Sequence, residues 1–271
     1  MSAATIPPAN ATTDVVQADR THDAPGSDLV ANDQLTAKDR LIVALDFPFA
    51  DRAIDLVDRL DGRCQWFKVG MELYYATGNR VVEQLVERGF KVFLDLKMHD
   101  IPSTVAKAMR SVAETGASLL TIHATGGERM MQMVAEEAAK VSGAPRLLAV
   151  TVLTSMDAAE LRAVGVSDTP ATQVLRLSRL ARAAGIDGLV CSAEEVAAVR
   201  SAMGPEMLLV VPGIRPSTSA GRHDDQRRVA SPANAIARGA SMLVVGRPIT
   251  QATDPAAAAA EILAEIDSTS S

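Results

Sequence analysis

Aromatic residues are scarce: the 271-residue chain has one Trp, two Tyr and five Phe, 3% in all. That excludes a stacking platform for single-stranded nucleic acid, which needs ring faces to hold successive bases. Positive charge is also short. The 27 Lys and Arg residues stand against 33 Asp and Glu, a net charge of −6, which argues against a general binder of nucleic acid or anionic membrane. A local cluster of basic residues leaves an anionic small substrate open. Cys64 and Cys191 are the two cysteines, far apart and without metal-ligand spacing. They read as small buried hydrophobes of a cytoplasmic protein, with no disulfide and no metal site. No apolar run reaches the length of a membrane span. No G-x-G-x-x-G follows the first apolar strand, which weakens a dinucleotide fold.

The start of the chain lacks both the basic opening and the apolar middle of a secretory signal. It is rich in Ala, Thr, Asp, Asn and Pro, and residues 1–38 are expected to form a disordered extension. Residues 39–271 are expected to be one domain. There, short apolar runs alternate with amphipathic or Ala-rich stretches. Strands are expected at 41–46, 66–70, 92–96, 118–123, 147–153, 188–191, 208–211 and 241–245, with helices between them, including one continuous helix over about 74–88. The runs are apolar throughout and do not alternate, so both faces should be covered, as in a parallel sheet. Eight strand–helix units in a chain of this length predict an α/β fold, the (β/α)8 TIM barrel.

Chemistry concentrates in one stretch, Val92-Phe-Leu-Asp95-Leu-Lys97-Met-His-Asp100-Ile-Pro-Ser-Thr104. Regular strand alternation would point Asp95 and Lys97 the same way, about 6.5 Å apart along the backbone. Asp100 follows where the strand should turn, and Pro102 suits the first turn of a helix. Asp46 is expected to end strand one, Lys68 to lie on strand two, Thr154 to follow strand five, Arg215 strand seven and Arg247 strand eight. All belong to the carboxyl-end mouth, where barrel enzymes work. Pro212-Gly213-Ile214-Arg215 and Gly246-Arg247 occupy the two loops that frequently bind phosphate in such barrels: glycine lets backbone N–H groups approach an anion, and Arg offers a planar fork. In a dry mouth the alternating charges Asp46, Lys68, Asp95, Lys97 and Asp100 would keep one another ionised. A carboxylate beside the substrate's own anion, with an ammonium ready to give a proton, suits a decarboxylation.

The run Asp95-x-Lys97-x-His99-Asp100-Ile101-Pro102-x-Thr104 resembles the signature of the orotidine 5′-phosphate decarboxylase family. Leu45-Asp46, Phe67-Lys68-Val-Gly, Val152-Leu-Thr154-Ser, Pro212-Gly-Ile-Arg215-Pro, Asp225-Gln226-Arg-Arg and Val245-Gly246-Arg247-Pro-Ile resemble the same family, in its order, over about Arg40 to Ile266. The resemblance implies a carboxy-lyase of pyrimidine biosynthesis that turns orotidine 5′-phosphate into UMP without cofactor or metal. It implies that Lys97 protonates C6 of the ring, with Asp95 beside the departing carboxylate and Asp46 and Lys68 on the ribose hydroxyls and the charge network. It further implies a homodimer in which Asp100 and Thr104, with Ile101 beside them among the substrate-binding residues, reach the partner's site. Thr154 would lie by the pyrimidine, Gln226 would bridge ring and phosphate, and Gly246 and Arg247 would grip the phosphate under a loop carrying Arg215.

Two other readings remain at this point. One is a Mg2+-dependent sugar-phosphate decarboxylase or aldolase on the same barrel, resembling 3-keto-L-gulonate 6-phosphate decarboxylase or hexulose phosphate synthase. Those relatives place an added acidic ligand at the end of strand two, where this chain has Lys68-Val-Gly70. The other is a nucleotide-binding barrel without activity, which would gain little from crowding carboxylates around an anion. His123 is expected to be a satisfied structural histidine, and Met130, Met131 and Met133 to be packing residues.

Overall fold

The structure, a computed structural model, describes residues 34–216 and 230–269. Eight parallel strands close on themselves in chain order: β1 Leu41–Ala44, β2 Trp66–Gly70, β3 Lys91–Met98, β4 Leu119–His123, β5 Arg146–Val150, β6 Gly188–Val190, β7 Leu208–Val211 and β8 Met242–Val245. β1 pairs with β8 through Leu41–Leu243, Ile42–Val244 and Val43–Val245, and that pairing completes the barrel. The expected (β/α)8 architecture is the one observed.

Every residue of β1, β2, β7 and β8 is buried, because alternate side chains face two different cores. Leu41, Val43, Phe67, Val69, Leu94 and Leu120 point outward into the large core between barrel and helices. Ile42, Trp66, Phe93, Leu119, Leu148, Val210 and Met242 point inward and fill the barrel. Trp66 is thus interior filling, with the Lys91 ammonium 5.5 Å from its ring centre. The barrel is a packed core up to its mouth, where the inward positions turn polar.

The helices among the described residues are α1 Ala37–Arg40, α2 Ala50–Arg59, α3 Met71–Thr77, α4 Arg80–Glu87, α5 Pro102–Ala113 and α6 Glu128–Ala138. They continue as α7 Ala158–Ala163, α8 Pro170–Ala183, α9 Val196–Met203, α10 Pro232–Ala237, α11 Arg247–Thr250 and α12 Pro255–Asp267. Pro102, Pro170, Pro232 and Pro255 all stand in a first turn, where a missing N–H costs nothing. Asp157 caps α7 in a reciprocal box with Glu160. Met130 and Met131 are fully buried and Met133 packs against the core, as packing residues should.

The expected helix over 74–88 is two helices. The chain turns at Gly78, whose φ of +63° ends α3 before Arg80 opens α4. Residues 1–33 lie outside the described residues, and with them most of the expected extension. Its last part is folded: a capping box between Thr36 and Asp39 opens α1, and Leu35 and Ala37 are buried. Arg40 holds this segment to the amino end of the barrel, donating to Leu35 O, Ala240 O and Ser241 O at 3.2–3.4 Å.

The barrel wall leaves no room for a side chain at Gly188 of β6. A Cβ on Gly188 would sit 2.6 Å from the Leu208 carbonyl oxygen and 2.7 Å from Leu148 Cδ2. Gly188→Ala is therefore expected to destabilise the fold by about 1–3 kcal/mol, as overpacking does. Urea denaturation followed by circular dichroism checks it; an unchanged midpoint would reject the close approach.

Candidate active site

The mouth encloses a cavity of about 290 Å³ whose lining changes character around the barrel. Asp46, Lys68, Asp95 and Lys97 form a charged side from the first three strands. Val150, Val152, Leu153, Val190 and Cys191 form an apolar side after β5 and β6. Gly213, Arg215, Gly246 and Arg247 form a Gly/Arg side after β7 and β8.

On the charged side, Lys68 Nζ donates to Asp46 Oδ1 at 2.9 Å and lies 3.7 Å from Asp95 Oδ2. Lys97 Nζ donates to the same Asp95 Oδ2 at 2.8 Å, and Asp95 Oδ1 accepts from the Thr121 hydroxyl at 3.0 Å. Burial by itself would raise the Asp95 pKa. Lys68, then Lys97 by charge and hydrogen bond, then Thr121, outweigh it and hold the carboxyl below its ordinary value. The Asp46 side chain is 60% exposed against 12% for Asp95, so water screens the Lys68–Asp46 pair and the strong coupling runs through Asp95.

Asp95 and Lys97 do meet, but regular strand alternation does not bring them together. The pairing of β3 with β4 shifts register between Leu94 and Met98, and Lys97 has a φ of +51°. A left-handed lysine costs about 1–2 kcal/mol. Its N–H donates to Thr121 Oγ1 at 2.8 Å.

The structure places the other predicted residues as follows. Asp46 stands two residues beyond the end of β1, so it belongs to the loop and not to the strand. Thr154 follows β5 by four residues and lines the cavity with Arg215, Gly246 and Arg247. Gly213 has a φ of +79°, a conformation that needs glycine, and it carries the chain from β7 into the mouth. Arg247 begins the one-turn helix α11, an element not foreseen from the sequence. Asp100, Ile101 and Thr104 are exposed and do not line the cavity, and the Asp100 carboxylate accepts from the Ile101 N–H at 2.6 Å. Gln226, with the rest of the polar loop Arg222–Arg228, lies outside the described residues. Thr121 was missed. Its signal was the single polar residue in the apolar stretch Leu119-Leu-Thr-Ile122.

His123 departs from expectation. Its Nδ1 is buried without a hydrogen-bond partner, and its ring lies 5.4 Å from that of His99 at a tilt of 34°. Burial first, then His99 and Lys97, hold its pKa below the ordinary value, so it is neutral near pH 7. Cys64 and Cys191 are free and buried, and burial pushes both thiols up to about 12. Among the described residues, no group of three or more His, Cys, Asp or Glu side chains is arranged to hold a metal ion.

A carboxylate flanked by two ammonium groups thus shares one cavity with paired Gly/Arg loops. The profile of the orotidine 5′-phosphate decarboxylase / HUMPS family matches residues 39–262. This chain belongs to that family. Its similarity to the orotidine 5′-phosphate decarboxylase of Halorhodospira halophila is 53% identity over 227 residues, 84% of this chain and 95% of the other. With that of Chromobacterium violaceum it is 50% over 230 residues, 85% of this chain and 92% of the other. The crystal structure of orotidine 5′-phosphate decarboxylase from Lactobacillus acidophilus superposes with a TM-score of 0.75 at 38% identity, covering 84% of this chain and 99% of that one. The family's matched span takes in every strand of the barrel and each charged residue of the mouth.

Because Asp95 is held ionised, its contribution to stability has a definite pH dependence. A folded pKa below the unfolded value of about 3.9 gives stability that is full above that pH and is lost as pH falls through the folded value. Asp95→Asn is expected to cost about 3–5 kcal/mol at pH 7, because two lysines lose their shared anion. It should also flatten the acid limb. Urea unfolding at pH 7, 5 and 3 checks this, and an acid limb of wild-type steepness in the variant would contradict it.

Proposed function

We propose that this chain decarboxylates orotidine 5′-phosphate to UMP in pyrimidine biosynthesis. The observation that carries the reading is the Lys68–Asp95–Lys97 array, buried at one side of a cavity whose other side carries the Gly/Arg loops. The bond between C6 and the carboxylate carbon breaks, CO2 leaves, and the electron pair stays on C6. That pair lies in the ring plane, so the ring π system cannot spread it. Stabilisation must come from fixed charges and from binding energy at the distant phosphate. Lys97 Nζ, partly open to the cavity, supplies the proton that ends on C6.

In this reading Arg247 and the Gly246 backbone take the phosphate, Gln226 bridges ring and phosphate, Arg215 belongs to the loop over the phosphate, and Asp46 and Lys68 hold the ribose hydroxyls. Thr154 lies against the pyrimidine, and the apolar wall from β5 and β6 suits a flat ring. No cofactor is needed. Lys68 already stands between the Asp46 and Asp95 carboxylates, and Lys97 holds Asp95 as well, so a divalent cation would have to displace them. Asp100, Ile101 and Thr104, solvent-facing beside the mouth, serve the site of a second copy in a homodimer. Exposed Met71, Tyr75 and Ile101 are the large apolar residues a partner would cover. Residues 1–38 are an extension to a barrel domain spanning 39–271, and the free thiols suit the cytoplasm.

Loss of orotate absorbance on adding the protein to orotidine 5′-phosphate in excess EDTA, with UMP as product, is the expected result. Activity that EDTA abolishes and Mg2+ restores would overturn the cofactor-free reading. Lys97→Ala should lower kcat by about 10²–10⁴-fold while UMP still competes as an inhibitor; near-normal turnover removes Lys97 from the chemistry. Mixing Lys97→Ala with Asp100→Ala chains tests the shared site. Random re-pairing gives hybrid dimers with one intact site, so activity should return to about a quarter of the wild type. No recovery would place Asp100 in its own chain's site.

A further inference from the structure

We propose that Thr121 is a positioning residue for this decarboxylation, setting both the Asp95 carboxylate and the Lys97 backbone. The inference rests on the reaction assigned above. Leu94 pairs with Leu120 and Met98 with Ile122, so Asp95, Leu96 and Lys97 all face one residue of β4, Thr121. The bulge takes the Lys97 N–H out of the regular ladder, and the Thr121 hydroxyl accepts it instead at 2.8 Å. One lone pair is thereby used, and the single hydroxyl proton goes to Asp95 Oδ1 at 3.0 Å. With Oδ1 taken, Oδ2 is the oxygen that faces both Lys68 and Lys97.

Three other buried hydroxyls spend their protons on the main chain, and Ser192 gives its own to Glu195, a carboxylate that does not line the cavity. Thr115, Thr151 and Ser178 donate to backbone carbonyls, of Val112, Val190 and Val174. Thr121 is fully buried, its χ1 is stiffened by β-branching, and its proton is spent on the site's central carboxylate. Without the hydroxyl, the Lys97 N–H would be buried without a partner in a left-handed turn, and Asp95 would be free to rotate both oxygens away from the lysines. Neither change touches the Gly/Arg side of the cavity, so binding of the phosphate should survive while proton delivery suffers.

The test compares Thr121→Ser, Thr121→Ala and the isosteric Thr121→Val in the orotate absorbance assay, with UMP inhibition and the pH profile of kcat. Ser restores the hydroxyl and should keep kcat within about threefold of the wild type, while Ala and Val should lose about 10–100-fold. The UMP inhibition constant should stay near the wild-type value in all three. The acid limb of the kcat profile should move to higher pH in Ala and Val, because the carboxylate loses a donor to its charged form. Equal kcat for Ser and Ala would overturn the proposal, as would a loss of UMP binding that matches the loss of kcat. Should Val fail to fold, the Ser–Ala pair, which differs by one oxygen, still decides. A wild type without turnover rejects the reaction itself; an active wild type with an equally active Ala variant rejects Thr121 alone.

Discussion

One buried carboxylate sets the demands on this fold. Asp95 is removed from water and stays charged because two ammonium groups share its outer oxygen and a hydroxyl holds the other. In a low-dielectric wall, a partial version of this arrangement would be worse than none. Lys68 comes from β2, Asp95 and Lys97 from β3, and Thr121 from β4, so three neighbouring strands must be in register before the charge is tolerable. Correct registry of β2, β3 and β4 and assembly of the charged side are the same event. The cost of a left-handed lysine is carried by the same contacts.

The three sides of the mouth divide the work physically. Charge is concentrated on the side of the first three strands, the wall after β5 and β6 is apolar, and the loops after β7 and β8 bring glycine backbone and guanidinium. A ligand with a flat ring, a carboxylate and a phosphate meets a different medium at each group. Binding energy collected at the phosphate end can then oppose the crowding of two carboxylates at the other, which is how remote contacts assist a reacting centre. The family to which the chain belongs has this barrel in the L. acidophilus crystal structure as well.

Much of this was legible in the sequence because its signals are local. Eight apolar runs at strand length, prolines at helix starts, and Asp95-x-Lys97 within one turn of chain need no knowledge of distant partners. The losses have physical reasons. α3 and α4 read as one helix because the apolar periodicity continues across Gly78, and periodicity does not register a single residue at φ +63°. α1 was hidden by the polar composition before it, although Leu35 and Ala37 are buried and Arg40 bonds to Ala240 and Ser241, some 200 positions away. The β3 bulge and the role of Thr121 depend on pairing between strands 24–26 residues apart, which no window along the chain contains. Asp46 was placed on a strand because its residue type ended an apolar run; β1 ends at Ala44, and its last bond to β2 is from the Leu45 N–H to Lys68 O.

The β3 irregularity inserts two residues opposite Thr121, not one, and the parity of that number matters. Strand side chains alternate with period two, so a single extra residue would turn everything beyond it inside out. Two leave Leu94 and Met98 both facing the outer core, each opposite an outward residue of β4. The wall therefore does not register that anything has been added. The loop of chain that carries the lysine behaves as a cassette: it can be lengthened toward the ligand while the staves on either side keep their alignment, and the scaffold and its reactive edge are free to change separately.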